Sequence, residues 1–216
     1  MTAVENLFDY KHQENKAVDF NREQLLPEMY NNEGPHIASA DVNNDGIPDF
    51  YIGGAKGQSG TLFLSKDNQS YQAVRNDFLT HASAEDTDAV FFDSDNDGDL
   101  DALVANGRHW AEQNFLFFND GKGGFKTALP IGKFMDASYA MKSADFNNDG
   151  FLDIAVANDN IENKIYFGSA NQNFDKEISF GSISPSRNLE IADIDNDGDF
   201  DLILSNRRAE NEICLN

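Results

Sequence analysis

The chain has 216 residues, of which 38 are acidic and 16 basic, and a net charge of −22. A surface that acidic repels polyphosphate and anionic lipid, so nucleic acid and a membrane surface are excluded as expected partners. Apolar runs are only strand length, too short to span a bilayer, and a lone cysteine, Cys214, rules out an internal disulfide and reads as a buried, inert thiol.

In chain order, residues 1–35 form a polar lead-in without the apolar core of a secretion signal. Within it, Leu7-Phe8-Asp9-Tyr10 has the character of an outer strand that could complete a sheet elsewhere. Four similar units follow, at about 36–78, 86–130, 138–180 and 187–216. Each opens on an apolar segment (HIASA, AVFF, AMKSA, LEIA) and passes through an aspartate-rich loop into a second one (FYIGG, ALVAN, IAVAN, LILSN). A polar connection leads to a third segment (GTLFLS, NFLFFN, KIYFG, EICLN). In the first three units, turns at 65–70, 119–124 and 168–173 deliver a fourth strand around Tyr71, Phe125 or Phe174. The fourth unit stops at Leu215-Asn216 after its third strand. Four short antiparallel strands per unit, repeated about every 50 residues, predict an all-β fold of β-propeller-type blades. The four repeats make either a complete small ring or part of a larger propeller.

The loops carry the chemistry. They read DVNNDGIPD from Asp41, DSDNDGDLD from Asp93, DFNNDGFLD from Asp145 and DIDNDGDFD from Asp193. Positions 1, 3, 5 and 9 hold Asp41, Asn43, Asp45 and Asp49; Asp93, Asp95, Asp97 and Asp101; Asp145, Asn147, Asp149 and Asp153; and Asp193, Asp195, Asp197 and Asp201. Backbone carbonyls at position 7, from Ile47, Asp99, Phe151 and Asp199, add a further oxygen to each set. Carboxylates this close repel one another unless a cation lies among them, and an all-oxygen set suits Ca2+ better than Mg2+ or zinc. An EF-hand would need glutamate at position 12. That position is Ile52, Val104, Val156 and Leu204, so the EF-hand is excluded.

These D-x-[DN]-x-D-G-x-x-D loops, each with its following strand, resemble the FG-GAP/VCBS repeat of integrin alpha-type β-propellers over residues 36–216. The lead-in is similar to a segment of bacterial FG-GAP proteins of the ASPIC/UnbV-associated group. The resemblance implies one calcium ion per repeat, four in all, and an extracellular, periplasmic or cell-surface location. It also implies recognition of a protein or carbohydrate ligand, as in adhesion. Integrin-like propellers have more blades than the four units found here.

Strand alternation puts the aspartate loops at one end of each blade and the connections between second and third strands at the other. Arg108, His109, Trp110, Arg207 and Arg208 belong to the latter and are the candidate ligand contacts, although Trp110 equally suits packing against a neighbouring blade. The alternative is a propeller-based polysaccharide-processing enzyme using calcium as a Lewis acid. His12, His36, His81 and His109 show no spacing suited to a catalytic triad, so the expectation is a binding module and not an enzyme.

Overall fold

The computed structural model describes residues 10–13, 34–67, 70–74, 84–107, 112–125 and 127–216, and their regular structure is entirely β. The first blade comprises β1 (Ile37–Ala40), β2 (Asp49–Ile52), β3 (Thr61–Asp67) and β4 (Ser70–Val74), paired antiparallel in chain order. The second repeats this with β5 (Asp86–Phe92), β6 (Asp101–Asn106), β7 (Glu112–Phe118) and β8 (Thr127–Asp136). The rest of the chain forms a five-stranded sheet of β9 (Ser138–Ala144), β10 (Asp153–Phe167), β11 (Lys176–Ala192), β12 (Asp201–Asn206) and β13 (Glu212–Cys214).

That sheet is two blades run together, where the sequence predicts separate strands. The start of β10, Asp153–Asn158, pairs with β9, and its later part, Ile161–Phe167, pairs with β11. The start of β11 pairs back on β10, and its last residues, Asn188–Ala192, pair with β12. Local geometry explains the first merger. Asn160 adopts a left-handed φ of 59°, and the register shifts at Asp159 and Ile161, so the chain turns without leaving the strand conformation. The fourth strands of the second and third units begin at Thr127 and Lys176, just beyond the expected Phe125 and Phe174. Those two rings lie in the preceding turns and are buried as plugs in the core.

Successive blades stack face to face. Val42, Tyr51 and Leu62 meet Ala102, Val104 and Phe117 between the first and second blades. Leu103, Leu116 and Ile131 meet Met141, Ile154 and Val156 between the second and third. Ala155 and Ile165 meet Leu189, Leu202 and Leu204 between the third and fourth. The second strand of a blade with neighbours on both sides is therefore covered on both faces. This explains why ALVAN and IAVAN read as unbroken apolar runs and not as alternating ones. Each fully buried Leu or Ile adds about 2 kcal/mol of hydrophobic stabilisation.

In the lead-in, Tyr10 is in no strand and packs edge-on against Phe63 of the first blade, 5.6 Å between ring centroids. Gln58 holds the same segment by accepting from Gln13 N and donating to Lys11 O. Leu7, Phe8 and Asp9 lie outside the described residues, and β13 pairs only with β12 among the described strands.

Candidate metal loops

All four aspartate loops fold alike, because short-range hydrogen bonds dictate the turn. The position 1 carboxylate receives the amide of the position 6 glycine: Gly46 N to Asp41, Gly98 N to Asp93, Gly150 N to Asp145 and Gly198 N to Asp193, at 2.7–3.2 Å. Position 3 accepts from the amide of position 5, and position 5 from the amide of position 7. Those bonds require two left-handed residues per loop. Position 4 supplies one, with Asn44, Asn96, Asn148 and Asn196 at φ 56–62°. Position 6 supplies the other, with the glycines at φ 83–99°. Asparagine and glycine are the residues that tolerate this conformation. The identical asparagine in all four copies was readable in the sequence as a turn signal, and its purpose becomes clear only in the folded loop.

The position 9 aspartates have a second task. Asp49, Asp101, Asp153 and Asp201 are all at most 2% exposed. One oxygen accepts from the amide of position 2 in the loop (Val42, Ser94, Phe146 or Ile194). The other accepts from an amide within or just beyond the third strand (Ser65, Asn119, Gly168 or Asn216). Each therefore clamps its loop to the third strand of its own blade. Burial raises the pKa of Asp49, Asp101 and Asp153, opposed by these amides. In Asp201 the amides of Ile194 and Asn216 dominate and lower it.

The donor set fits a hard cation. Oxygens of Asp93, Asp95 and Asp97 lie within 4.8 Å of one another, and so do those of Asp193, Asp195 and Asp197. The second loop is the most strained electrostatically. Burial and then the charges of Asp97, Asp101, Asp95 and Asp93 push the Asp99 carboxyl up to about 6. Asp99 Oδ1 is buried without a hydrogen-bond partner among the described residues. In the first and third loops Asn43 and Asn147 replace an acid at position 3. In the first loop Asp45 is held below the ordinary carboxylate range, first by the Ser65 hydroxyl at 2.8 Å and then by the Ile47 amide.

Neighbouring loops touch. Asn96 Nδ2 donates to Gly150 O at 3.1 Å, Asn148 Nδ2 to Asp199 Oδ1 at 2.8 Å, and Gln172 Nε2 to Asp95 Oδ2 at 2.9 Å. Asn119 and Asn216, at matching places after the third strand, donate to Val42 O and Phe146 O of the preceding blade. Sequence reasoning missed these asparagines; their shared place after LFF and ICL was the available signal.

At the other end of the strands, Arg207 and Arg208 follow β12. Arg208 is exposed with a φ of 57°. Arg108, His109 and Trp110 lie outside the described residues, as does His81. His36 Nδ1 is 2.7 Å from Asp88 Oδ1, an interblade pair. Cys214 is half-buried, and burial followed by Glu212 raises its thiol pKa.

Comparison with solved structures places this architecture among known folds. A lectin from Agrocybe aegerita, described for its specific recognition of non-reducing terminal N-acetylglucosamine, is similar with a TM-score of 0.56 and 20% identity over 79% of this chain and 46% of that one. BBS1N, solved in complex with ARL6DN, gives a TM-score of 0.52 and 9% identity over 81% of this chain and 52% of that one. The V. cholerae biofilm matrix protein Bap1 gives 0.45 and 16% over 83% and 36%. The chain thus spans about half, or less, of the length of these structures, and the likeness concerns the fold. No curated protein matches it in sequence. The FG-GAP-like repeat model matches residues 41–104, 93–156 and 145–204, each stretch running from one aspartate loop through most of the strand that follows the next. That unbroken match takes in all four loops, and the chain belongs to the FG-GAP-like repeat family.

Proposed function

We propose that this chain is a calcium-stabilised recognition module, with the ions structural and the ligand a glycan or protein met outside the cytoplasm. The observation that carries the reading is the convergence of three carboxylates within 4.8 Å in the second and fourth loops, on a turn built identically four times. Calcium supplies positive charge that offsets this repulsion. The chain's own contribution is to present the oxygens of positions 1, 3 and 5, and to tie the loop to the blade through position 9. Weak extracellular-type affinity, about 10⁻⁴–10⁻³ M, would leave such sites empty in a low-calcium cytosol, which favours an exported location. The family membership and the fold shared with a glycan-binding lectin support recognition over catalysis. Ligand contact is assigned to the end of the blades that carries Arg207 and Arg208.

Thermal melting against calcium tests the metal reading. Stabilisation follows mass action, so about 100 times the dissociation constant adds about 2.7 kcal/mol per site. Asp97→Ala removes the share of the second loop. A melting temperature that ignores calcium and chelator alike would falsify the proposal. A glycan array including N-acetylglucosamine-terminated chains tests recognition separately.

A further inference from the structure

One buried carboxylate lies far from the aspartate loops, at the opposite end of the strands. Asp86 opens β5, is 8% exposed, and is in register with Asn106 at the end of β6. The same register position holds Ser138 opposite Asn158 in the third blade and Ser186 opposite Asn206 in the fourth. In both, the serine hydroxyl donates to the asparagine Oδ1, at 3.0 and 2.8 Å. Each asparagine amide is oriented by Nδ2, which donates to the backbone carbonyl of Glu162 or Glu210. Asn106 is oriented in the same way, with Nδ2 donating to Gln113 O at 2.8 Å. Its Oδ1 therefore points where a hydroxyl should be. That atom is buried and has no hydrogen-bond partner among the described residues.

The first blade shows why an acid stands in the serine's place. Gly54 and Gly60 occupy the positions of the asparagine pair Asn106 and Asn114. Tyr51 fills the space they leave: a Cβ at Gly60 would lie 1.7 Å from the Tyr51 hydroxyl and 2.6 Å from Asp86 Oδ2. Asp86 Oδ2 accepts from both Tyr51 Oη and Gly54 N at 2.7 Å. In the next junction, Ser138 Oγ accepts from Asn114 Nδ2 and donates to Asn158. A carboxylic acid can do both, accepting on Oδ2 and donating from Oδ1. A carboxylate can only accept.

We propose that Asp86 is a neutral carboxylic acid that donates its proton to Asn106 Oδ1, making the junction between the first two blades a pH-sensitive latch. The surroundings support this. Burial, then Glu85 and Glu112, push its carboxyl up to about 6, against the lowering by the Gly54 amide and the Tyr51 hydroxyl. Tyr51 from β2 and Tyr10 from the lead-in face it as uncharged phenols, both raised by burial and by Asp86 itself. Lys56 is 3.6 Å from Glu112, and His36 Nδ1 is 2.7 Å from Asp88 Oδ1, so both nearby basic side chains are engaged elsewhere. The folded pKa lies above the unfolded one, so the folded chain holds a proton that the unfolded chain has released. Its stabilisation is complete below about pH 4, declines as pH rises from about 4 to about 6, and is absent above. Two pKa units correspond to a change of about 100-fold in the folded-to-unfolded ratio.

The test is carbon-13 NMR of the aspartate carboxyls in the full chain under saturating calcium, with Asp86 assigned through Asp86→Asn. Asp86 should titrate with a midpoint of about 6 or higher. Asn106→Gly, which copies the first blade's own residue, should lower that midpoint. Tyr51→Phe should raise it. Asp86→Asn retains a donor and an acceptor, so it should match the wild type in stability at about pH 4 and lose the decline between about pH 4 and 6. A midpoint in the ordinary range near 4, or a midpoint that Asn106→Gly leaves unchanged, overturns the proposal. So does an Asp86→Asn chain that is far less stable than the wild type at about pH 4.

Discussion

At the scale of single residues, the most consequential side chains are ones that a motif scan treats as interchangeable ligands. Asp153 stands at position 9 of its loop, and its 0% exposure and two amide partners, Phe146 N at 2.9 Å and Gly168 N at 2.8 Å, make it a structural clamp as well. Asp153→Ala removes two hydrogen bonds to a charged acceptor and leaves both amides buried and unpaired. It should cost about 4 kcal/mol in urea denaturation, with most of that loss persisting in chelator. A loss seen only with calcium present would assign Asp153 to the metal alone. Asp86 belongs to the same scale. Nothing in its sequence neighbourhood separates it from the other acids, because the glycines that create its niche lie 26 and 32 positions earlier.

At the scale of elements, each blade is closed at both ends by polar contacts and in the middle by apolar ones. The end away from the loops depends on the asparagine that closes the second strand. Asn106 N, Asn158 N and Asn206 N donate to Asn114, Asn163 and Asn211 in turn, so one asparagine pair fastens this strand connection in the second, third and fourth blades. Arg187 adds a cross-blade tie, stacked 3.9 Å from the Tyr139 ring and 3.0 Å from Asp159. Ser138 links two blades by accepting from Asn114 and donating to Asn158 while fully buried. Ser138→Ala should therefore cost about 2 kcal/mol by leaving both groups unpaired, read as a lower urea midpoint with unchanged m-value. The strand segments and their order were legible from alternation and turn residues. The fusion of strands in β10 and β11 was not, because it depends on a left-handed Asn160 and on hydrogen bonds to strands from elsewhere in the chain.

At the scale of the whole molecule, the net charge of −22 and the stacking of blades pull in opposite directions. Loop-to-loop contacts such as Asn148 to Asp199 bring acidic turns of different blades together, so repulsion accumulates along one end of the stack. Salt screens such exposed charges within about 10 Å at 0.1 M. In chelator, raising sodium chloride should therefore raise the melting temperature, and at saturating calcium the same salt should have much less effect. Equal salt responses in both conditions would mean that calcium is not neutralising the loops.

The four aspartate loops, the four-unit period and the all-β character follow from the sequence alone, because they rest on local rules: oxygen-rich turns, left-handed glycine and asparagine, and strand-length apolar runs. Pairings between distant residues belong to the tertiary structure. Only stacked blades bring Asn119 to Val42, Tyr51 to Asp86 and Asn114 to Ser138, and only their burial decides which polar atoms must find a partner. Residues so far apart carry no mutual spacing signal, since the fold and not the chain sets the distance between them.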